Sequence, residues 1–212
     1  RFEAWRADGN ESVPADVAGL PSPRIGYIGG IHRWVDQDLL RRVADAHPEW
    51  SFVLVGPMQD DVDRLTGCRN IHFVGGKSHE SLPAYVASFD VAIIPYRVTP
   101  YTQCVYPTKL NEYFAMGKPV VSTPIREILA FNARHGSCVQ VAADADEFSS
   151  RIAELLAARD DEAEQRRAVA RQNGWGQRVV EMTRVIEEGI ADQQRERVSN
   201  WQRQLVQLLR GA

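Results

Sequence analysis

Lys109 and Glu112 stand three positions apart in the segment VYPTKLNEYFAMGKPVVST, Val105 to Thr123. At helical spacing, residues i and i+3 share a face. Pro107 suits a first helical turn, where its missing N–H is not needed, and Gly117 followed by Pro119 suits the end. Two chemistries are open to the charged pair. One is a surface ion pair, which contributes little to stability. The other is ligand recognition. A helix N-terminus with a cation beside it suits a diphosphate, and a carboxylate one turn further in can accept hydrogen bonds from the vicinal hydroxyls of a ribose.

Other candidates lie at the ends of apolar runs. Gly29 and Gly30 close RIGYIGG, and His32 and Arg33 follow them. Gly75, Gly76 and Lys77 close HFVGGK in the same way. Basic residues at such places either meet phosphate or lie in a solvated loop. The glycine pair invites a dinucleotide reading, but GYIGGIHRW contains no G-x-G-x-x-G, and the second run ends in VGP without an acidic residue to hold a ribose. His32, His47, His72, His79 and His135 are scattered, and none stands in a ligand-like or triad-like motif. Asp60 to Asp63 reads as a helix start rather than a metal site.

These residues need a scaffold, and the sequence supplies one. Apolar, β-branched runs at RIGYI, SFVLV, NIHFV, DVAII, PVVST and CVQVA predict six strands. Between them, DQDLLRRVADAHP, QDDVDRLTG, SHESLPAYVASF, the Pro107 segment and IREILAFNARHG predict helices, and DADEFSSRIAELLAAR predicts a further one. Strands that are apolar throughout are buried on both faces, as in a parallel sheet. Strict alternation therefore predicts an α/β fold, a Rossmann-like doubly wound parallel sheet with extra C-terminal helices. Ligands of such sheets bind beyond the carboxyl ends of the strands, the edge from which the Lys109 helix starts. The expected organisation is an entry segment over 1–22, a Rossmann-like domain over 23–190 and an amphipathic helix over 191–212. Within the last third, a break between helices is expected at Gly174–Trp175–Gly176. In the tail Val198, Trp201, Leu205 and Leu208 form an apolar stripe, expected to pack on protein rather than lipid.

The 212 residues carry 25 Lys and Arg against 28 Asp and Glu, a net charge of −3, with no basic field suited to nucleic acid. Three distant cysteines suggest neither a disulfide framework nor a zinc site. No apolar run approaches the length of a membrane span. The chain begins without Met, and the reading is a fragment or processed product.

Taken together, NIHFVGGKSHESLPAYVASFDVAIIPY and YPTKLNEYFAMGKPVVSTPIRE resemble the C-terminal, nucleotide-sugar-binding domain of GT-B glycosyltransferases, similar to the bacterial teichuronic-acid or exopolysaccharide type. The resemblance implies one half of a two-domain enzyme. It would move a sugar from a nucleoside diphosphate sugar, with UDP the guessed carrier, to a glycan or lipid-linked acceptor bound mainly by a missing N-terminal domain. This half alone would be inactive. The implied reaction needs no metal or further cofactor, and the implied location is cytoplasmic or peripheral at the inner face of the membrane. Carried onto this chain, Glu112 matches the ribose-binding glutamate. The loop Val105–Thr108, with Tyr106, Pro107 and Thr108 as its candidate contacts, matches the segment whose amides meet the phosphates or donor sugar. Gly29 and Gly30 match the phosphate-facing turn, and Gly75, Gly76 and Lys77 the loop near the base. The family's earlier glutamate is replaced by Cys104 and its arginine by Gly30, so Lys109 and Arg33 become the candidate catalytic cations. A GT-B-like epimerase or phosphorylase, or a non-catalytic nucleotide-sugar-binding module, is the alternative.

Overall fold

The computed structural model describes residues 2–7, 9, 12–158 and 161–210. Six strands form one parallel sheet: β1 (Arg24–Ile28), β2 (Ser51–Val55), β3 (Ile71–Gly75), β4 (Val91–Ile94), β5 (Val120–Ser122) and β6 (Gln140–Val141). Their spatial order is β3-β2-β1-β4-β5-β6. The chain thus winds outward from β1 in one direction and, after β4, in the other. β1 and β4 pair through Ile25 with Val91 and Gly26 with Ala92, and the crevice where the order reverses opens beyond Ile28 and Ile94. All six expected strands are present. Every residue of β2, β4 and β5 is buried, as expected of a sheet covered on both faces.

The helices are α1 (Phe2–Ala7), α2 (Ala15–Ala18), α3 (Gln37–Ala46), α4 (Leu82–Ala87), α5 (Lys109–Ala115), α6 (Arg126–His135), α7 (Ala145–Ala157), α8 (Ala163–Gln172) and α9 (Trp175–Arg210). Local signals explain several ends. Asp36 caps α3 by accepting from the Leu39 amide at 3.0 Å, and Asp144 caps α7 by accepting from Glu147 at 2.9 Å. Leu39, Leu40, Val43 and Ala44 form the buried face of α3. Each large apolar side chain so buried contributes about 1.5–3 kcal/mol. Gly117, at φ +76°, ends the α5 turn where a Cβ would be strained.

Four expectations change. The helix expected over QDDVDRLTG is a single 3-10 turn, Asp63–Leu65, because Asp61 accepts from the Asp63 amide and draws the segment into a side-chain-bonded turn. α5 begins at Lys109 and not at Pro107. The entry segment 1–22 is more than a connection: Phe2 and Val17 are buried in the core, and α1 packs beside α4 and α5. The division expected at 190/191 falls inside α9, which is continuous, and the chain separates instead into Arg1–Arg171 and Gln172–Ala212. The break at Gly174 is present, since α8 ends at Gln172 and α9 starts at Trp175. On α9 the tail stripe's Val198 and Trp201 are exposed, whereas the Leu205 and Leu208 side chains lie outside the described residues. No described helix is long and apolar enough to cross a membrane.

Candidate functional site

The loops that leave the strands build the crevice between β1 and β4. After β1 the chain turns through Gly29, whose amide donates to the Val55 carbonyl at 2.8 Å. Gly29 has φ +125°, and its carbonyl oxygen lies 2.0 Å from where a Cβ on Gly56 would stand. The loops after β1 and β2 therefore pack backbone against backbone, which two glycines permit. After β4 come Pro95 and Tyr96. The Pro95 carbonyl accepts from Asp36 at 2.7 Å, which ties the two loops together.

Lys109 is the first residue of α5, and its side chain runs into this crevice. Its Nζ donates to Tyr96 Oη at 2.8 Å. It also lies 3.8 Å from the centre of the Tyr27 ring and 4.9 Å from that of Tyr96. A Cβ on Gly29 would come within 2.8 Å of the same ammonium. The tyrosines are fixed in turn. Tyr27 donates to the Gly30 carbonyl at 2.9 Å, while Tyr113 accepts from the Ile28 amide at 2.9 Å. Burial holds the Tyr27 and Tyr113 phenols well above their ordinary range, so both stay neutral.

Lys109 is only 8% exposed. Among the described residues it forms no ion pair. Burial drives its pKa down to about 7, and the charge of Glu112 offsets this only in part. Burial lowers His32 too, with the nearby Lys109 charge adding to the effect. The crevice thus holds an amine that titrates near neutrality on an aromatic floor, and an anion placed beside it would favour its protonated, charged form.

Glu112 lies one turn along α5, on the same side, but does not pair with Lys109. It accepts from His79 Nε2 at 3.0 Å. The surface ion pair that the spacing allowed is therefore not formed.

The remaining candidates divide. A Cβ on Gly29 would meet the Lys109 ammonium, whereas one on Gly30 would meet the side chains of Gln59 and His32. Pro107 is buried and Thr108 exposed at the start of α5, and the Tyr106 hydroxyl bonds Asn111 at 3.0 Å. Gly75 and Gly76 end β3 and begin the loop that carries His79. Lys77, in that loop, is tied to Asp16 of α2 at 2.7 Å, with Tyr85 donating to the same carboxylate at 3.0 Å. Arg33 is exposed and lines a hollow of about 260 Å³ with Gln37, Asp60, Asp61, Asp63, Arg64 and Arg97. Neither Lys109 nor Glu112 lines it. Among the described residues no group of three His, Cys, Asp or Glu is placed to hold a metal ion.

Sequence reasoning missed Tyr27, Tyr96 and His79 as parts of the site. The two tyrosines sit at strand ends in RIGYIGG and DVAIIPY, a legible position. What signals their role is the adjacency of β1 and β4, which only the sheet order supplies.

The chain matches the model for glycosyl transferases group 1 over residues 22–158. It is 32% identical over 126 residues to TuaH of Bacillus subtilis (strain 168), named as a teichuronic acid biosynthesis glycosyltransferase; the match covers 58% of this chain and 32% of that protein. Among solved structures, Anabaena HepE in complex with UDP and glucose superposes with a TM-score of 0.64 at 20% identity, covering 85% of this chain and 53% of HepE. Sucrose-phosphate synthase from Thermosynechococcus elongatus gives 0.67 at 18% identity, covering 90% and 49%. The chain thus spans about a third of the curated relative and about half of these structural neighbours. Its six-stranded parallel sheet is that of a GT-B Rossmann-like domain, and the chain belongs to the group 1 glycosyl transferases.

Proposed function

We propose that this chain is the donor-binding domain of an enzyme that transfers a sugar from a nucleoside diphosphate sugar to a glycan or lipid-linked acceptor. The acceptor is held mainly by a domain outside these 212 residues, which alone bind donor without turning it over. The observation that carries this reading is the buried Lys109 ammonium at the sheet's switch point, seated on Tyr27 and Tyr96 without a carboxylate partner among the described residues. A nucleoside diphosphate supplies the missing negative charge. As the bond from the sugar to the diphosphate breaks, negative charge grows on the leaving oxygen, and a cation already in place stabilises it without reorganisation. Gly29, lacking a side chain, lets phosphate oxygens approach that cation; Gly30 continues the same turn, and Tyr106, Pro107 and Thr108 lead into the helix that carries Lys109 and face the phosphates or donor sugar. Glu112 accepts the ribose hydroxyls. Arg33 serves the donor sugar or acceptor side, where its exposed position leaves it free to reach. Gly75, Gly76 and Lys77 border the base.

Uridine is the favoured base, because HepE, a neighbour in fold, was solved with UDP and with UDP-glucose. Polysaccharide assembly is the favoured process, in line with the name of the Bacillus relative. Nucleotide-sugar chemistry favours the cytoplasm or the inner face of the membrane as the place of action.

A thermal-shift panel of UDP-, GDP-, ADP- and dTDP-sugars tests the donor. A true donor at 100 times its Kd adds about 2.7 kcal/mol of apparent stability, and a panel without any shift defeats the reading. Glu112→Ala tests the ribose contact. It should weaken UDP roughly ten- to a hundredfold, the loss expected of hydrogen bonds to a charged acceptor. It should weaken 2′-deoxy-UDP much less, so an unchanged preference for the ribonucleotide would remove Glu112 from the site.

A further inference from the structure

His79 reaches Glu112 from a different element, the loop between β3 and α4, with its Nε2 3.0 Å from Glu112 Oε1. A carboxylate only accepts, so Nε2 carries the hydrogen and His79 is the donor. The imidazole is itself held. Its ring meets that of Phe2 edge to face, centroids 5.8 Å apart and planes at 84°. Phe2 belongs to α1 and is 6% exposed, an anchor in the core rather than a loose surface ring. The Glu112 side chain is 25% exposed and that of His79 is 54% exposed, so the pair lies at the rim of the crevice.

From this arrangement we infer that His79 is a positioning residue that sets donor specificity: it fixes the Glu112 carboxylate for the vicinal hydroxyls of a ribose, and the entry helix α1 fixes His79 through Phe2. The inference rests on the ribose role proposed for Glu112. A glutamate has three side-chain torsions and, left to itself at a partly wet rim, samples several rotamers. The bond to Oε1 selects one of them. It uses one of the carboxylate's roughly four acceptor positions and leaves Oε2 and the second lone pair of Oε1 for two hydroxyls. A diol, which needs two acceptors at once in one orientation, gains from such restraint. A ligand offering one hydroxyl gains less, because a single hydrogen bond is met by many rotamers. Phe2 of α1 therefore contributes to nucleotide selection through His79.

The test is a comparison of Kd for UDP and 2′-deoxy-UDP by calorimetry on the full chain and three variants. Losing one immobilised side chain's restraint corresponds to roughly three- to tenfold. His79→Leu should weaken UDP by that factor and 2′-deoxy-UDP by less, so the ratio contracts. His79→Gln retains an amide donor and should recover at least half of the lost preference, which a purely space-filling role would not. Glu112→Ala is the reference, expected to abolish most of the preference. If Glu112→Ala contracts the ratio and His79→Leu leaves it unchanged, the positioning role falls while the ribose reading stands. If His79→Leu and His79→Gln weaken both nucleotides equally, His79 only packs on Phe2 and the inference is wrong. If Glu112→Ala itself leaves the ratio unchanged, both are wrong together. Should His79→Leu fail to fold, His79→Ala takes its place: a contracted ratio that His79→Gln restores supports the positioning role, and an unchanged ratio overturns it.

Discussion

Two lysines, one in a loop and one opening a helix, lie at the same edge of the sheet and have opposite fates. Lys77 follows β3, and Asp16 neutralises it at 2.7 Å at the surface. That hydrogen bond holds its pKa above the ordinary lysine value. Lys109 follows β4 by a longer loop and is buried against Tyr27 and Tyr96, with its pKa down at about 7. One lysine ties α2 to the domain; the other has no carboxylate partner among the described residues and titrates near neutrality. The contrast teaches that position at the ligand edge does not make a cation functional. Burial without a counter-ion is what sets apart the lysine proposed here for the diphosphate, because an arriving anion would replace a missing partner instead of competing with an existing one.

The strongest way to break the comparison is substitution of each lysine by methionine, with UDP affinity as the readout. Lys109→Met should weaken UDP about ten- to a hundredfold and bare uridine little, as expected for losing a charge-assisted contact. Lys77→Met should change UDP affinity by less than about threefold, since a cation already paired with a surface carboxylate contributes little. Equal losses would erase the distinction.

A pH series sharpens it next. The pKa of Lys109 falls from its ordinary 10.5 to about 7 on folding, so between these values the unfolded chain binds the extra proton. Stability of the ligand-free chain should therefore rise from pH 7 toward pH 10, by at most about 1.4 kcal/mol per unit, and level off below pH 7. UDP should show the reverse trend. Its phosphates favour the protonated amine, so affinity should fall as pH rises above 7. Denaturant melts and calorimetry at pH 6, 7, 8 and 9 check both trends, and Lys109→Met should flatten each. A wild-type profile identical to that of Lys109→Met would show the amine to be ordinary.

The smallest effect belongs to the paired lysine's partner. Burial alone would raise Asp16, but hydrogen bonds from Lys77 and Tyr85 bring it below its ordinary value. Its contribution is present above about pH 4 and is lost as pH falls through the lowered value. Asp16→Asn should lower Tm near pH 7 by less than about 3 °C, and by still less near pH 3. A drop of 10 °C in thermal melts would make this surface tie a structural pillar.

The architecture was legible in the order of residues alone. Six β-branched runs, each short enough for a strand, alternated with segments of helical period, and the result is one parallel sheet. Helix ends at Asp36, Asp144 and Gly117 were legible because capping is local: the donor, the acceptor and the φ requirement lie within four residues. Lys109, Glu112 and the Gly29–Gly30 turn were legible as types at plausible places. What these residues meet was settled by the fold. The i, i+3 spacing allowed a Lys109–Glu112 pair, yet each side chain found a partner far away in sequence, Tyr96 for one and His79 for the other. Lys77 was legible as a basic residue at this edge, but its carboxylate partner, Asp16 of α2, was not. The tail helix was expected to stand apart from residue 191 onward, but helical hydrogen bonds between neighbouring turns run through that point in α9. One cause is common to all of these. Backbone periodicity and caps depend on neighbours within a turn, whereas burial, and with it the pKa of an amine, depends on which strands lie side by side. In this protein that is the adjacency of β1 and β4, which places Tyr27, Tyr96 and Gly29 around one ammonium.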